Sequence, residues 1–262
     1  KTKPIKAKVI KEKPEEPTLP FFIGSDPEFL MFFGIRGLDA SKVITTFFKD
    51  KLEQSNNGYE IPEVGNFGWD GAASTAELRP NATNKISTMV ENIRIMLTTI
   101  NEKIPTVDLT TLSIGSPIGG HIHVDDFVHM LENGLAYPKN NAEKTRVENT
   151  FATYLLPLTA SDHRISALNR IKGGNYGKLT DFKYEKKGNV ITNEIRGLTA
   201  EWLTTPYLTY ATFAYIVTIW NELRIRNLEL SKQDFITKTK DQNQTLQRLV
   251  LGDYKIIELG LI

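Results

Sequence analysis

Apolar and polar residues alternate with a period of two in four separate stretches of the chain, the pattern of half-buried strands. Phe21 to Phe33 is the longest, and it carries Asp26, Pro27 and Glu28 at its centre. Glu77-Leu78-Arg79, Gly119-Gly120-His121-Ile122-His123-Val124 and Glu194-Ile195-Arg196 are the others. Residues two apart on a strand point to the same face. Each stretch therefore turns a pair of polar groups one way and its aliphatic residues the other. Together they describe one sheet with a dry face and a face of acid, imidazole and guanidinium groups. The glycines before His121 are read as room for a bulky ligand. Pro27 has no N–H to give to a ladder, so it marks a bulge or an unpaired edge.

The helical period is equally plain elsewhere. Ile86, Met89, Val90, Ile93, Met96, Leu97, Ile100 and Ile104 fall on one face of a helix over Asn84 to Ile104. Asp39 or Ser41 is placed to cap a short helix running to about Leu52. Thr205 is placed to cap a long apolar helix with Pro206 at its first position. Further helices are read after Asp125 or Asp126 to Glu132, over Ala142 to Leu156, and over residues 231–249. Asp70-Gly71 signals a turn, and Lys187-Gly188-Asn189 reads as a hairpin turn into the strand ending at Arg196.

Residues 1–20 differ from the rest. Lysines at 1, 3, 6, 8, 11 and 13 alternate with Pro4, Pro14, Pro17 and Pro20, and such a segment buries too little apolar surface to fold alone. It reads as an arm or linker making no contact with its own core, or as a docking element for a partner protein or an acidic surface. Residues 21–262 read as a single domain. The chain starts at Lys1 rather than Met, as a processed or trimmed product would.

Composition narrows the chemistry. The 262 residues carry a formal net charge of +1 and no cysteine. The charge gives no general electrostatic case for nucleic acid, and no nucleic-acid motif is present. Without cysteine there is no disulfide, thiolate zinc site or thiol catalysis. No secretory signal is read, because no apolar stretch follows the lysine-rich start. Tyr207 to Trp220 is too short and too rich in threonine to span a bilayer. The expectation is a protein not secreted through a signal peptide. No Walker loop is present, which disfavours a P-loop enzyme.

The order "GSDPEF … DG … ELRP … GGHIHV … YG … EIR" resembles the phage-associated carboxylate–amine ligases, amidoligases of type 2 in the glutamine synthetase superfamily. Thr205-Pro206-Tyr207-Leu208 also resembles that superfamily's Asn-Pro-Tyr-Leu helix opening. The resemblance runs from about Phe21 to Leu230. It implies an α+β fold, a curved and mostly antiparallel sheet with helices on its convex face. It implies ATP and Mg²⁺ (or Mn²⁺) as cofactors, with a carboxylate and an amine as substrates. Carried over by position, Glu28 and Glu77 would hold one metal ion, and Asp26, His121 and Glu194 another, with Asp70 as a further candidate ligand. His123 and Arg196 would contact ATP phosphates. Arg164, Arg170 and Lys178, from the basic, glycine-rich stretch Ser161 to Lys183, would close the site, and Arg79, Arg164 and Arg196 would act in catalysis. The chain departs from the family pattern at Asp26, a shorter carboxylate, and at Lys178 and Lys183, where arginines are expected.

Two other readings compete. A cupin barrel also uses His-x-His, but it wants a glutamate where Phe127 and Val128 stand. A ligase-like fold with a lysine–proline arm could instead serve as a structural component of a phage particle.

Overall fold

The computed structural model describes residues 16–55, 57–71, 74–111, 118–125, 182–187 and 190–226. The helices read beyond Asp125 and over residues 142–156 and 231–249 lie outside these residues. So do the turn residues Gly188 and Asn189.

The first alternating stretch forms β1 (Phe22–Phe33), and it sits in the middle of a ten-stranded open sheet. Its second half pairs with β2 (Arg36–Leu38) and with β7 (Asp108–Thr110). On one side follow β6 (Ala76–Pro80), β5 (Gly65–Trp69), β4 (Gly58–Ile61) and β3 (Gln54–Ser55). On the other side lie β8 (Gly120–Asp125), β10 (Val190–Ile195) and β9 (Phe182–Lys187). All these pairings are antiparallel. The arrangement is α+β with a mostly antiparallel sheet, as the resemblance implied.

Pro27 stands where the ladder between β1 and β6 is interrupted. Ile23 bridges Thr83, whereas Glu28 pairs with Glu77, so the register slips by one residue across the proline. The extra residue lies on the β6 side, and on the β8 side the ladder continues from Asp26 opposite His121 to Pro27 opposite Gly120. A proline nitrogen thus faces the interrupted side of a central strand, where no donor is required. The hairpin of β9 and β10 also forms, with Val190 opposite Lys187.

Among the described residues, three α-helices complete the layer. α1 (Ala40–Phe48) is capped by Asp39, whose carboxylate accepts the Lys42 N–H at 3.1 Å. α2 (Ile86–Lys103) buries Ile86, Met89, Ile93, Met96 and Ile100, the face read from the sequence. A short 3₁₀ turn (Ala200–Thr204) leads into α3 (Pro206–Arg226). There the Thr205 hydroxyl accepts the Leu208 N–H at 3.1 Å, with Pro206 at the first position. Side chains of α1, α2 and α3 join Ile23, Phe29, Met31, Phe67, Leu78, Ile122, Val124 and Ile195 in one hydrophobic core. This leaves the alternate residues of β1, β6, β8 and β10 on the other face. Among the described residues, no helix is long and apolar enough to cross a membrane.

The arm expectation needs correction at its C-terminal end. Both carboxylate oxygens of Glu16 lie 3.2 Å from the Ser87 N–H in the first turn of α2, and the Ser87 hydroxyl donates to the same group. The Leu19 N–H donates to Asn84 O at 2.8 Å, and the Leu19 side chain packs against the core. The reason is the open N-terminus of α2, whose N-cap residue Lys85 makes no side-chain capping bond. An acidic group is favoured there. Residues 1–15 lie outside the described residues.

Candidate functional site

Strand register places the polar residues. Asp26 lies opposite His121, Gly24 opposite His123, and Glu194 opposite both His123 and Lys183. Glu28 lies opposite Glu77, which in turn faces Gly68. The pleat therefore gathers Asp26, Glu28, Glu77, Arg79, His121, His123, Glu194 and Arg196 on the face away from the helices.

Within this face one group is tight. Asp26 Oδ1 stands 3.2 Å from His121 Nδ1 and 3.1 Å from His123 Nε2, and His121 Nδ1 is also 3.2 Å from Glu194 Oε1. His121 and Glu194 are buried. Asp26 Oδ1 is itself buried. Ligand atoms of Asp26, His123 and Glu194 all lie within 4.8 Å of one another. Neighbouring ligands of a six-coordinate Mg²⁺ are about 3 Å apart, given metal–oxygen distances of about 2.1 Å. The separations and the hard oxygen and imidazole donors fit such an ion. The sequence reading separated the two histidines into a metal ligand and a phosphate contact. Both rings stand at the same Asp26 oxygen.

Burial raises the Asp26 carboxyl, but the two imidazoles, His123 foremost, outweigh it and hold the group well below the usual carboxylate range. Arg196 Nε donates to Glu194 Oε1 at 2.7 Å, and Lys183 Nζ lies 3.9 Å from Glu194 Oε2. Lys183 is thus a site-face residue, here beside Glu194.

The second group is a pair of like charges. Glu28 and Glu77 are buried and directly opposite on neighbouring strands, an arrangement that repels unless a proton or a cation intervenes. Glu77 is pushed up to about 7, first by burial; Asp26 and Glu28 add to this, and Arg79 opposes it. One Glu28 oxygen accepts the Gly119 N–H at 2.5 Å. Asp70 is different. It is exposed in the β5–β6 turn, where its N–H donates to Thr75 O at 3.0 Å, and it does not join the buried group. Arg164, Arg170 and Lys178 lie outside the described residues.

The room left by the two glycines is not for a ligand. A Cβ on Gly119 would sit on the ring of His121, and one on Gly120 would collide with Thr199 O and the Trp202 indole. The Trp202 Nε1–H donates to Gly120 O at 3.1 Å, and the Gly120 N–H donates to Leu198 O at 2.9 Å. The glycines let the segment after β10 close on β8 and let the His121 ring fold back over its own strand. Asn66 was missed by sequence reasoning. Its partner Arg79 stands directly opposite on β6, which only the strand register reveals.

Among solved structures, the chain is similar in fold to the crystal structure of the complex between prokaryotic ubiquitin-like protein Pup and its ligase PafA. The TM-score is 0.54, with 11% sequence identity over 86% of this chain. The match spans about half of that chain, 51%. No curated protein matches the sequence significantly. Residues 23–243 match the family described as Phage phiEco32-like COOH.NH2 ligase-type 2. That span takes in every candidate site residue named above, and the chain belongs to this family.

Proposed function

We propose that the protein is a phage-encoded, ATP-dependent carboxylate–amine ligase that forms an amide through an acyl phosphate. The observation that carries this reading is the contact set around Asp26 Oδ1, with His121 Nδ1 and His123 Nε2 at 3.1–3.2 Å and Glu194 beside them. Asp26, His121 and Glu194 would hold one Mg²⁺ or Mn²⁺ and Glu28 and Glu77 another, with His123 at the edge of the first. Bound there, such ions would neutralise phosphate oxygens and ease departure of the γ-phosphoryl group.

The chain's own residues do the rest. His123 and Arg196, beside Asp26 and Glu194, would contact phosphate oxygens. Arg164, Arg170 and Lys178 are the basic groups assigned to closing over the nucleotide and stabilising the transferred oxygens. A substrate carboxylate oxygen attacks the γ-phosphorus, the bond to the β-phosphate oxygen breaks, and ADP leaves. The amine nitrogen then attacks the acyl carbon, phosphate departs, and the nitrogen loses a proton to give the amide. The partners implied are therefore a carboxylate and an amine. A protein substrate would parallel the fold-similar ligase PafA, which is found in complex with prokaryotic ubiquitin-like protein Pup. The site of action would be the host cytoplasm or the phage particle, with the lysine-rich residues 1–15 offered to a phage structural protein.

The test is ATP turnover to ADP across a panel of acids and amines, with Mg²⁺ and with Mn²⁺. Turnover that depends on both an acid and the metal supports the ligase. Protein that neither binds nor hydrolyses ATP removes it, and leaves the structural role in a particle.

A further inference from the structure

Arg79 was read as a guanidinium that works on substrate, yet its terminal nitrogens are turned to the protein. Nη1 donates to Asn66 Oδ1 at 3.0 Å. Nη2 donates to Trp69 O at 3.1 Å and forms an ion pair with Glu77 Oε2. Asn66 is buried, and its own orientation is determined. Its Nδ2 donates to Ser55 O at 3.0 Å and to Glu60 Oε1 at 3.3 Å. Turned over, the amide would aim NH₂ at the guanidinium and its oxygen at two acceptors, losing every one of these bonds. The space for the chain is also prepared. A Cβ on Gly58 would lie 2.5 Å from Asn66 Oδ1, and one on Gly68 would lie 2.7 Å from Arg79 Nη1. Both glycines also let the neighbouring backbone approach closely, Asn57 O at Gly68 and Phe67 O at Gly58, so strands and side chains are packed together here.

We infer that Asn66 is a positioning residue, which orients Arg79 so that its guanidinium fixes the Glu77 carboxylate on the site face opposite Glu28. This rests on the reading of Glu28 and Glu77 as metal ligands given under Proposed function. Asn66 touches neither metal nor substrate and acts through two intervening groups. Arg79 serves the same end and does not contact the transferred oxygens. A side chain of this kind narrows the rotamers open to a ligand, which costs the free protein order but spares it at the moment of binding.

The test is a Mn²⁺ titration of the full chain followed by electron paramagnetic resonance, alongside thermal unfolding of the same samples. Asn66→Ala is expected to weaken the weaker of the Mn²⁺ sites by on the order of tenfold. A merely structural asparagine would lower the melting temperature and leave the affinity of the folded protein unchanged, and that result overturns the inference. The double variant Asn66→Asp with Glu60→Gln keeps an acceptor for Arg79 and supplies a donor to the new carboxylate, while Ser55 O loses its donor, a cost read in the melting temperature rather than in Mn²⁺ affinity. It is expected to bind Mn²⁺ within about threefold of the parent. Should Asn66→Ala unfold, this variant decides alone, since loss of binding in it overturns the role. A parent protein that binds no Mn²⁺ removes the metal reading and this inference with it, whereas a parent that binds while Asn66→Ala binds equally removes only the inference.

Discussion

The imidazole of His121 occupies the volume that a side chain on Gly119 would need. The ring lies over its own strand, with Nε2 toward Gly119 and Nδ1 toward Asp26 and Glu194. Gly119→Ala should therefore displace the ring rather than merely crowd it. The expected result is a loss of Mn²⁺ affinity of about tenfold, with overpacking costing about 1–3 kcal/mol in thermal unfolding. Isothermal titration with Mn²⁺ checks it. Gly119→Ala protein that binds Mn²⁺ as the parent does would show that the ring has another place to stand.

Glu194 is engaged by His121, Arg196 and, at 3.9 Å, Lys183. Glu194→Gln keeps the size and one acceptor for Arg196 but removes the charge. ATP turnover should fall by on the order of a hundredfold or more, because charge at the γ-phosphate is the main catalytic need. The metal-free protein should lose about 1–3 kcal/mol, since Arg196 and His121 lose the charge of a buried partner. Turnover that survives the substitution would take this residue out of the reaction.

How far the sequence reveals this arrangement depends on whether neighbours are local or distant. The alternation in Phe21 to Phe33 and the His-Ile-His run mark strands because inward and outward residues differ along a single segment. The face on which Asp26, His121 and Glu194 meet follows from that. Thr205-Pro206 and Asp39 mark helix starts because a cap acts on the next turn. By contrast, the roles of Gly119 and Gly120 depend on Thr199 and Trp202, some 80 positions away, and the empty space read from the sequence is in fact filled. Asn66 looks like one polar residue in a glycine-rich stretch until the β5–β6 register sets it opposite Arg79. Glu16 sits in a proline-rich run that reads as free arm, and only the uncapped end of α2 explains why the chain is held there.

That contact yields its own prediction. Glu16 is the acidic group at the start of α2, accepting the Ser87 N–H and standing 3.5 Å from the Tyr210 hydroxyl on α3. Glu16→Ala should destabilise the protein by about 0.5–1 kcal/mol, the usual worth of a capping acceptor with favourable dipole placement. Glu16→Gln should restore part of this, since one acceptor remains without the charge. Urea unfolding of the three proteins measures it. An alanine variant as stable as the parent would mean that Leu19 and its hydrogen bond to Asn84 hold the segment unaided.

The raised Glu77 carboxyl makes stability depend on pH in a direction opposite to that of most acids. Its folded value is about 7 against an ordinary 4.5, chiefly through burial. Between these values the folded protein holds a proton that the unfolded chain has released. Raising the pH across this window therefore favours the unfolded chain. Metal-free protein should lose about 1–3 kcal/mol of stability between pH 4.5 and 7 from this group. Asp26, held below the usual carboxylate range, is ionised in both states across most of the window and contributes little to the slope. Glu77→Gln removes the titrating group and should flatten the profile. Saturating Mg²⁺ should flatten it too, because a cation between Glu28 and Glu77 replaces the proton. Chemical unfolding at half-unit pH steps, with and without Mg²⁺, reads all three curves. A metal-free profile that rises toward pH 7 would contradict the burial of Glu77, and one that falls but ignores Mg²⁺ would remove the cation from the Glu28–Glu77 pair.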